Sequence, residues 1–208
     1  MIRQALIEQI LRNVYGEQPT QDSDISPNLV NVYINQGIGL AAKQNYKDAI
    51  QMDGIGYVND SFYTTFKGLE VVKDENFLWR ITLPQVPIAI GKNEGVSNLK
   101  FKSSDGKVSI DCIPLSISQK SYASSMRTIP DRVLYYVEGN SAFVLSTILL
   151  TQYTCSVTLV SGGDSSDLSS NLNVPDDYIP TVITYVTQLL MNQRKQPKNM
   201  ANDGQDSA

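Results

Sequence analysis

The sequence contains no histidine. That absence excludes Ser-His-Asp and Cys-His nucleophilic pairs, a histidine general base and imidazole metal ligands. Cysteine is nearly as scarce: Cys112 and Cys155 stand far apart in apolar, strand-like contexts and lack the dense spacing of a disulfide framework. Both thiols are expected to be buried and reduced. No apolar run approaches the ~20 residues of a membrane span; the longest lies around "SAFVLSTILL". The opening "MIRQALIEQILRNVYGEQ" carries Arg3, Glu8 and Arg12 inside its apolar pattern, which is unlike a secretory leader. The expectation is a soluble protein made in the cytoplasm, with no membrane partner.

Basic charge is missing from one long interval. Between Arg132 and Arg194 there is no Lys or Arg, while Glu138, Asp164, Asp167, Asp176 and Asp177 fall there. Residues 67–132 lean the other way, with ten basic and seven acidic side chains. The net charge of −4 supplies no global field for holding nucleic acid. Apolar residues (41%) and charged residues (18%) are both somewhat low, and Asn, Gln, Ser, Thr and Tyr make up the difference. Such a composition suits hydrogen-bonded, adaptable interfaces.

In the 208 residues present, the first pattern is helical. Ile2, Leu6, Ile10 and Val14 recur every four positions, widened by Ala5, Ile7 and Leu11, and Gly16 closes the run. Ser26-Pro27 supplies an N-cap serine and a first-turn proline for a second helix, whose buried side is set by Val30, Tyr33 or Ile34, Ile38 and Ala41. Gly37 and Gly39 inside it weaken the helix by about 1 kcal/mol each, which suggests a close neighbour. After Asp53 the pattern alternates and is rich in Tyr, Phe, Thr and Val, as strands require. Pro84 and Pro87 imply an edge or a bend in "FLWRITLPQVPIAIG", and Asp105-Gly106 and Gly139-Asn140 read as hairpin turns. "QKSYASSMRTIPD" reads as a short helical or irregular crossing. A third helix begins near Pro175-Asp176-Asp177, with acids at its positive end and Arg194 and Lys195 at its negative end.

The expected fold is therefore α+β. A helical frame of two N-terminal helices (1–53) and one C-terminal helix (175–194) encloses an inserted antiparallel β-rich domain (54–160) of about six to eight strands. A Ser/Gly-rich loop (161–174) precedes the last helix, which packs on the helical pair. An extended or flexible polar tail (195–208) follows.

Several motifs invite a chemical reading, and none completes it. Gly163-Asp164-Ser165 matches the start of a GDSL-type esterase motif, whose chemistry needs a histidine. Asp164 and Asp167 are too few and too close for a calcium loop. "GIGLAAK" (37–43) lies within the second helix rather than before one, so it is no phosphate loop. Glu70 and Glu138 have no distinctive neighbours that would mark a glycosidase pair. Tyr57, Phe62, Tyr63, Phe66 with Lys67, and Trp79 with Arg80 resemble a single-strand nucleic-acid platform, but alternation sends half of such rings into a sheet core. The reading is of no catalytic, metal or cofactor site.

The segments "ALIEQILRNVYGEQPTQDSDISPNLVNVYINQGIGLAAKQNYKDAI", "FLWRITLPQVPIAIG" and "YIPTVITYVTQLLMNQRKQPKNMANDG" together resemble virion structural proteins of crAss-like and related Bacteroides phages. The organisation is also similar to that of podovirus head-to-tail adaptors, in which a helical bundle carries a β insertion and a C-terminal segment reaches a neighbour. The resemblance implies a non-enzymatic ring, of twelve copies, in the neck or tail of the virion. It would bind the portal and adjacent ring or tail proteins and surround genomic double-stranded DNA without specific binding. It also implies interface roles for Arg194, Lys195, Pro197, Asn202 and Asp203. The family ending has the form Pro-x-Asp-x-x-Asn-Asp, and here Asn199 stands for the first Asp. Glu138, Asp164 and Asp167 are candidates for a negative surface lining the DNA path, where cations would hold phosphates and slow transit. A tail hub or fibre-attachment component is the alternative within the virion. A small histidine-free hydrolase and a non-viral binding module are the alternatives from other classes.

Overall fold

The computed structural model describes residues 1–16, 25–73, 78–91, 95–115, 119, 122, 132–162 and 167–195. The side chains of 194 and 195 fall outside that set, and so does nearly all of the 119–131 crossing. Among the described residues three helices and nine strands make an α+β fold: α1 (Arg3–Tyr15), α2 (Pro27–Asp53) and α3 (Ile179–Lys195) enclose the strand region in sequence.

Local chemistry sets the helix ends. The Ser26 side chain accepts a hydrogen bond from the Leu29 amide, and Pro27 opens α2. Gly16 (φ 87) and Gly54 (φ 72) close α1 and α2 in conformations that other residues rarely adopt. The start of α1 has no side-chain cap. Instead the Arg3 and Gln4 amides donate to the carbonyls of Ser170 and Leu168, so a loop far along the chain satisfies them.

The helices share one core, in which Leu6, Ile10, Ile34, Ile38, Val186 and Leu190 are buried. The close neighbour of the α2 glycines is visible. A Cβ on Gly37 would lie 3.0 Å from Val182 of α3, and one on Gly39 would lie 3.6 Å from Ile88. Hence α3 packs into α2 at Gly37. It runs antiparallel to α2, because Tyr178 at its start bonds Asn45 and Asp48 while Gln193 at its end bonds Tyr33.

The strands form two sheets facing each other across a second core. One has four strands in the order β1 (Tyr63–Leu69), β9 (Tyr153–Val160), β4 (Val96–Ser103) and β5 (Ser109–Asp111). The other has five, in the order β2 (Val71–Lys73), β3 (Trp79–Thr82), β8 (Ser141–Leu145), β7 (Leu134–Glu138) and β6 (Ile113–Pro114). Consecutive strands β1 and β2 lie in different sheets. The chain turns that corner after a bulge at Gly68 (φ 74). Of the two outcomes that Pro84 and Pro87 imply, the structure has the bend and not the edge: β3 is an interior strand between β2 and β8, and the chain bends at Pro84, just beyond its end. The inserted region is antiparallel-rich, as expected, with one parallel pair, β6 beside β7.

Adjacent residues of β9 join the two cores. Leu159 faces the sandwich core and Val160 the helical one, as alternation along a strand demands. Cys112 and Cys155 are buried and free. They sit opposite Leu99 and Phe101 on either side of β4, two strand spacings or ~10 Å apart, too far for a disulfide. Burial raises the Cys112 thiol, takes Cys155 to about 12, and takes neighbouring Tyr135 to about 12. All three groups fold in the neutral form, so their stabilisation is complete below the unfolded thiol value of about 8.5 and fades above it. Urea midpoints are expected to be flat from neutrality to about pH 8.5 and then to fall toward pH 12. A midpoint unchanged at pH 11 would contradict the burial of these groups.

Candidate interaction surface

Beyond β3, Pro84 stops the sheet ladder and the chain continues as an extended strap, residues 83–91. The Leu83 amide donates to the Asn140 carbonyl at the β7–β8 turn, which anchors the start of the strap. Ile88 then fills the space over Gly39 of α2. Its carbonyl oxygen would lie 2.0 Å from a Cβ at Gly95, so only glycine permits the strap to cross the start of β4 there.

The strap separates two concave surfaces. On one side lies a groove of about 400 Å³, walled by Val86–Ile90, floored by Tyr135–Val137 and closed by Pro114 and Leu115 beside β6. On the other, Ala89–Gly91 face Leu40, Lys43, Lys47 and Ile50 of α2 across a hollow of about 290 Å³. The α2 positions Val32, Leu40, Lys43, Lys47 and Ile50 recur at helical spacing and are all exposed, so α2 carries a second stripe opposite its buried one. The apolar character continues around the end of the helix. Met52 is 84% exposed, Ile55 65%, and Val86 on the strap 66%. These exposed apolar side chains, with the two concavities, make this side of the molecule a candidate contact face.

The other sequence candidates are distributed as follows. Glu138 ends β7 at the Gly139-Asn140 turn, exposed, between Val137 and Gly139, which line the larger groove. Asp167 lies instead beside α1, where its carboxylate accepts from the amide and hydroxyl of Ser169. It braces the loop whose carbonyls cap α1. No described contact brings Glu138 and Asp167 together, and Asp164 lies outside the described residues. Arg194 and Lys195 occupy the last turn of α3, with their side chains outside the description, as are Pro197, Asn202 and Asp203. Among the aromatic candidates, Phe62 and Trp79 are buried, Phe66 packs against the sandwich core and Tyr63 against the helical one. Tyr57 is exposed and donates to Asp53, which raises its hydroxyl pKa. Among the described residues no group of three or more acids or cysteines could hold a metal, and no helix is long and apolar enough to cross a membrane.

No known protein family and no curated protein matches this sequence.

Sequence reasoning missed Arg3 as a key residue. It is fully buried, and its guanidinium donates to Asn31 (2.7 Å) and Asn35 (2.9 Å) of α2 and to the Gly162 carbonyl (3.0 Å). The available signal was its position in line with Ile7, Ile10 and Val14 on the buried stripe of α1.

Proposed function

We propose that the protein is a structural subunit of a bacteriophage virion. It forms a ring, of twelve copies, as a head-to-tail adaptor that links portal to tail around the DNA exit path, and it performs no catalysis. The observation that carries this reading is the contact face. A strap locked over Gly95 presents exposed apolar residues between two grooves, and α2 extends that surface along its outer stripe. A ring subunit needs unlike surfaces that meet head to tail, so that rotation closes the circle. The strap and the outer stripe of α2 would supply one of these surfaces, with exposed Met52, Ile55 and Val86 upon it. The likeness of the opening, middle and closing segments to phage neck proteins supports the viral setting. A basic-free stretch from 133 to 193 suits a wall past which DNA must slide.

Light scattering on the purified protein, alone and mixed with the portal encoded in the same genome, tests the reading. The expected result is a species of ring mass, formed alone or on the portal. A chain that stays monomeric with portal and every other virion protein would overturn it.

A further inference from the structure

We propose that the acidic end of the C-terminal segment of one subunit, residues 199–208, docks on the lysine-bearing outer face of α2 in a second copy. The partner's identity as a second copy rests on the ring reading above. The face combines two exposed lysines one turn apart, Lys43 and Lys47, with the apolar edges of Leu40, Ile50 and Ile90. The acids on this half of α2 are already engaged. Asp48 accepts from Gln44 and Tyr178, and Asp53 from Tyr57. Among the described residues Lys43 and Lys47 make no ion pair. The face therefore offers positive charge beside an apolar hollow.

The C-terminal segment has the complementary order. After Lys198 it has no basic residue; Met200 and Ala201 come first, then Asp203 and Asp206. An apolar pair followed by two carboxylates matches an apolar hollow flanked by two ammonium groups, and the charge match also steers the encounter. Direction favours a second copy over the chain's own face. Since α3 runs from Asn45 and Asp48 toward Tyr33, its C-terminus points away from Lys43 and Lys47. Residues 196–208 span up to about 40 Å when extended, enough to cross to a neighbour. Repetition around a ring would multiply a weak contact.

The test uses two full-length variants altered only on one partner each: K43E/K47E, with an intact tail, and D203K/D206K, with an intact face. Each alone is expected to assemble about tenfold more weakly than the parent. A one-to-one mixture should regain association, read by light scattering and native mass spectrometry, because each variant supplies what the other lacks. The fourfold charge swap should restore assembly, and salt should weaken it. Mixtures that regain nothing, or variants that assemble like the parent, would overturn the proposal while leaving the ring reading standing. If the parent forms no ring, a labelled 196–208 peptide is titrated onto full-length D203K/D206K. Saturable binding that K43E/K47E abolishes supports the docking, and its absence overturns it.

Discussion

Arg3→Ala is expected to lower the stability of the protein by about 3–5 kcal/mol. The guanidinium is wholly buried, and among the described residues it donates to three acceptors drawn from two separate parts of the chain, α2 and the segment just after β9. Truncation leaves the Asn31 and Asn35 carbonyls and the Gly162 carbonyl facing a void, each short of a donor. For a chain of this size the melting temperature should fall by about 6–20 °C. Arg3→Lys should recover only part of the loss, because one ammonium cannot reproduce a planar fork aimed at three oxygens. Arg3→Met separates the two contributions, since it keeps volume and removes the donors. A methionine variant as stable as the parent would show that the polar network contributes nothing.

Gly95→Ala is the second large effect, and it acts on shape. The new methyl carbon would lie 2.0 Å from the Ile88 carbonyl oxygen, a backbone atom that cannot swing aside as a side-chain tip can. The strap must lift or β4 must shift. Overpacking of this kind typically costs about 1–3 kcal/mol. Either movement also reshapes both grooves, because Ala89 and Ile90 line each of them. The variant should therefore lose ring or portal association by more than its change in melting temperature explains. Normal assembly at a normal melting temperature would show that the strap is not held at this crossing. Gly39→Ala is the natural control, since its added methyl would meet Ile88 at an ordinary 3.6 Å.

Much of the helical frame was legible because its signals are local. Ser26-Pro27, Gly16 and the four-residue apolar recurrence each act within a turn or two of the helix. The hairpin turns at Asp105-Gly106 and Gly139-Asn140 were legible for the same reason, and Gly106 and Gly139 do adopt positive φ. The division of the strands into two sheets was not. β1 pairs with β9 across most of the insertion, and nothing in "YTTFKGL" names its partner. The parallel β6–β7 pair was hidden likewise, because β6 is only two residues long and contains a proline. As for the strap, Pro84 and Pro87 implied an edge or a bend. The sequence could not show that the bend carries Ile88 over α2, since that depends on Gly39, which is distant in sequence. The residues singled out at the C-terminus lie almost entirely beyond what the structure describes.

The closure of α1 has a consequence for how the protein is made. Met1–Gln4 bond to residues 168–172, and Arg3 reaches Gly162 across 159 positions of sequence. At roughly 5–20 residues per second, a ribosome needs on the order of ten seconds or more to supply those partners. Until then α1 and α2 wait with their apolar stripes uncovered, the usual order of folding from the N-terminus forward being closed to them. Closure of the helical core thus waits for residues 162–190, and a product cut short before them would expose that core instead of forming a smaller native domain.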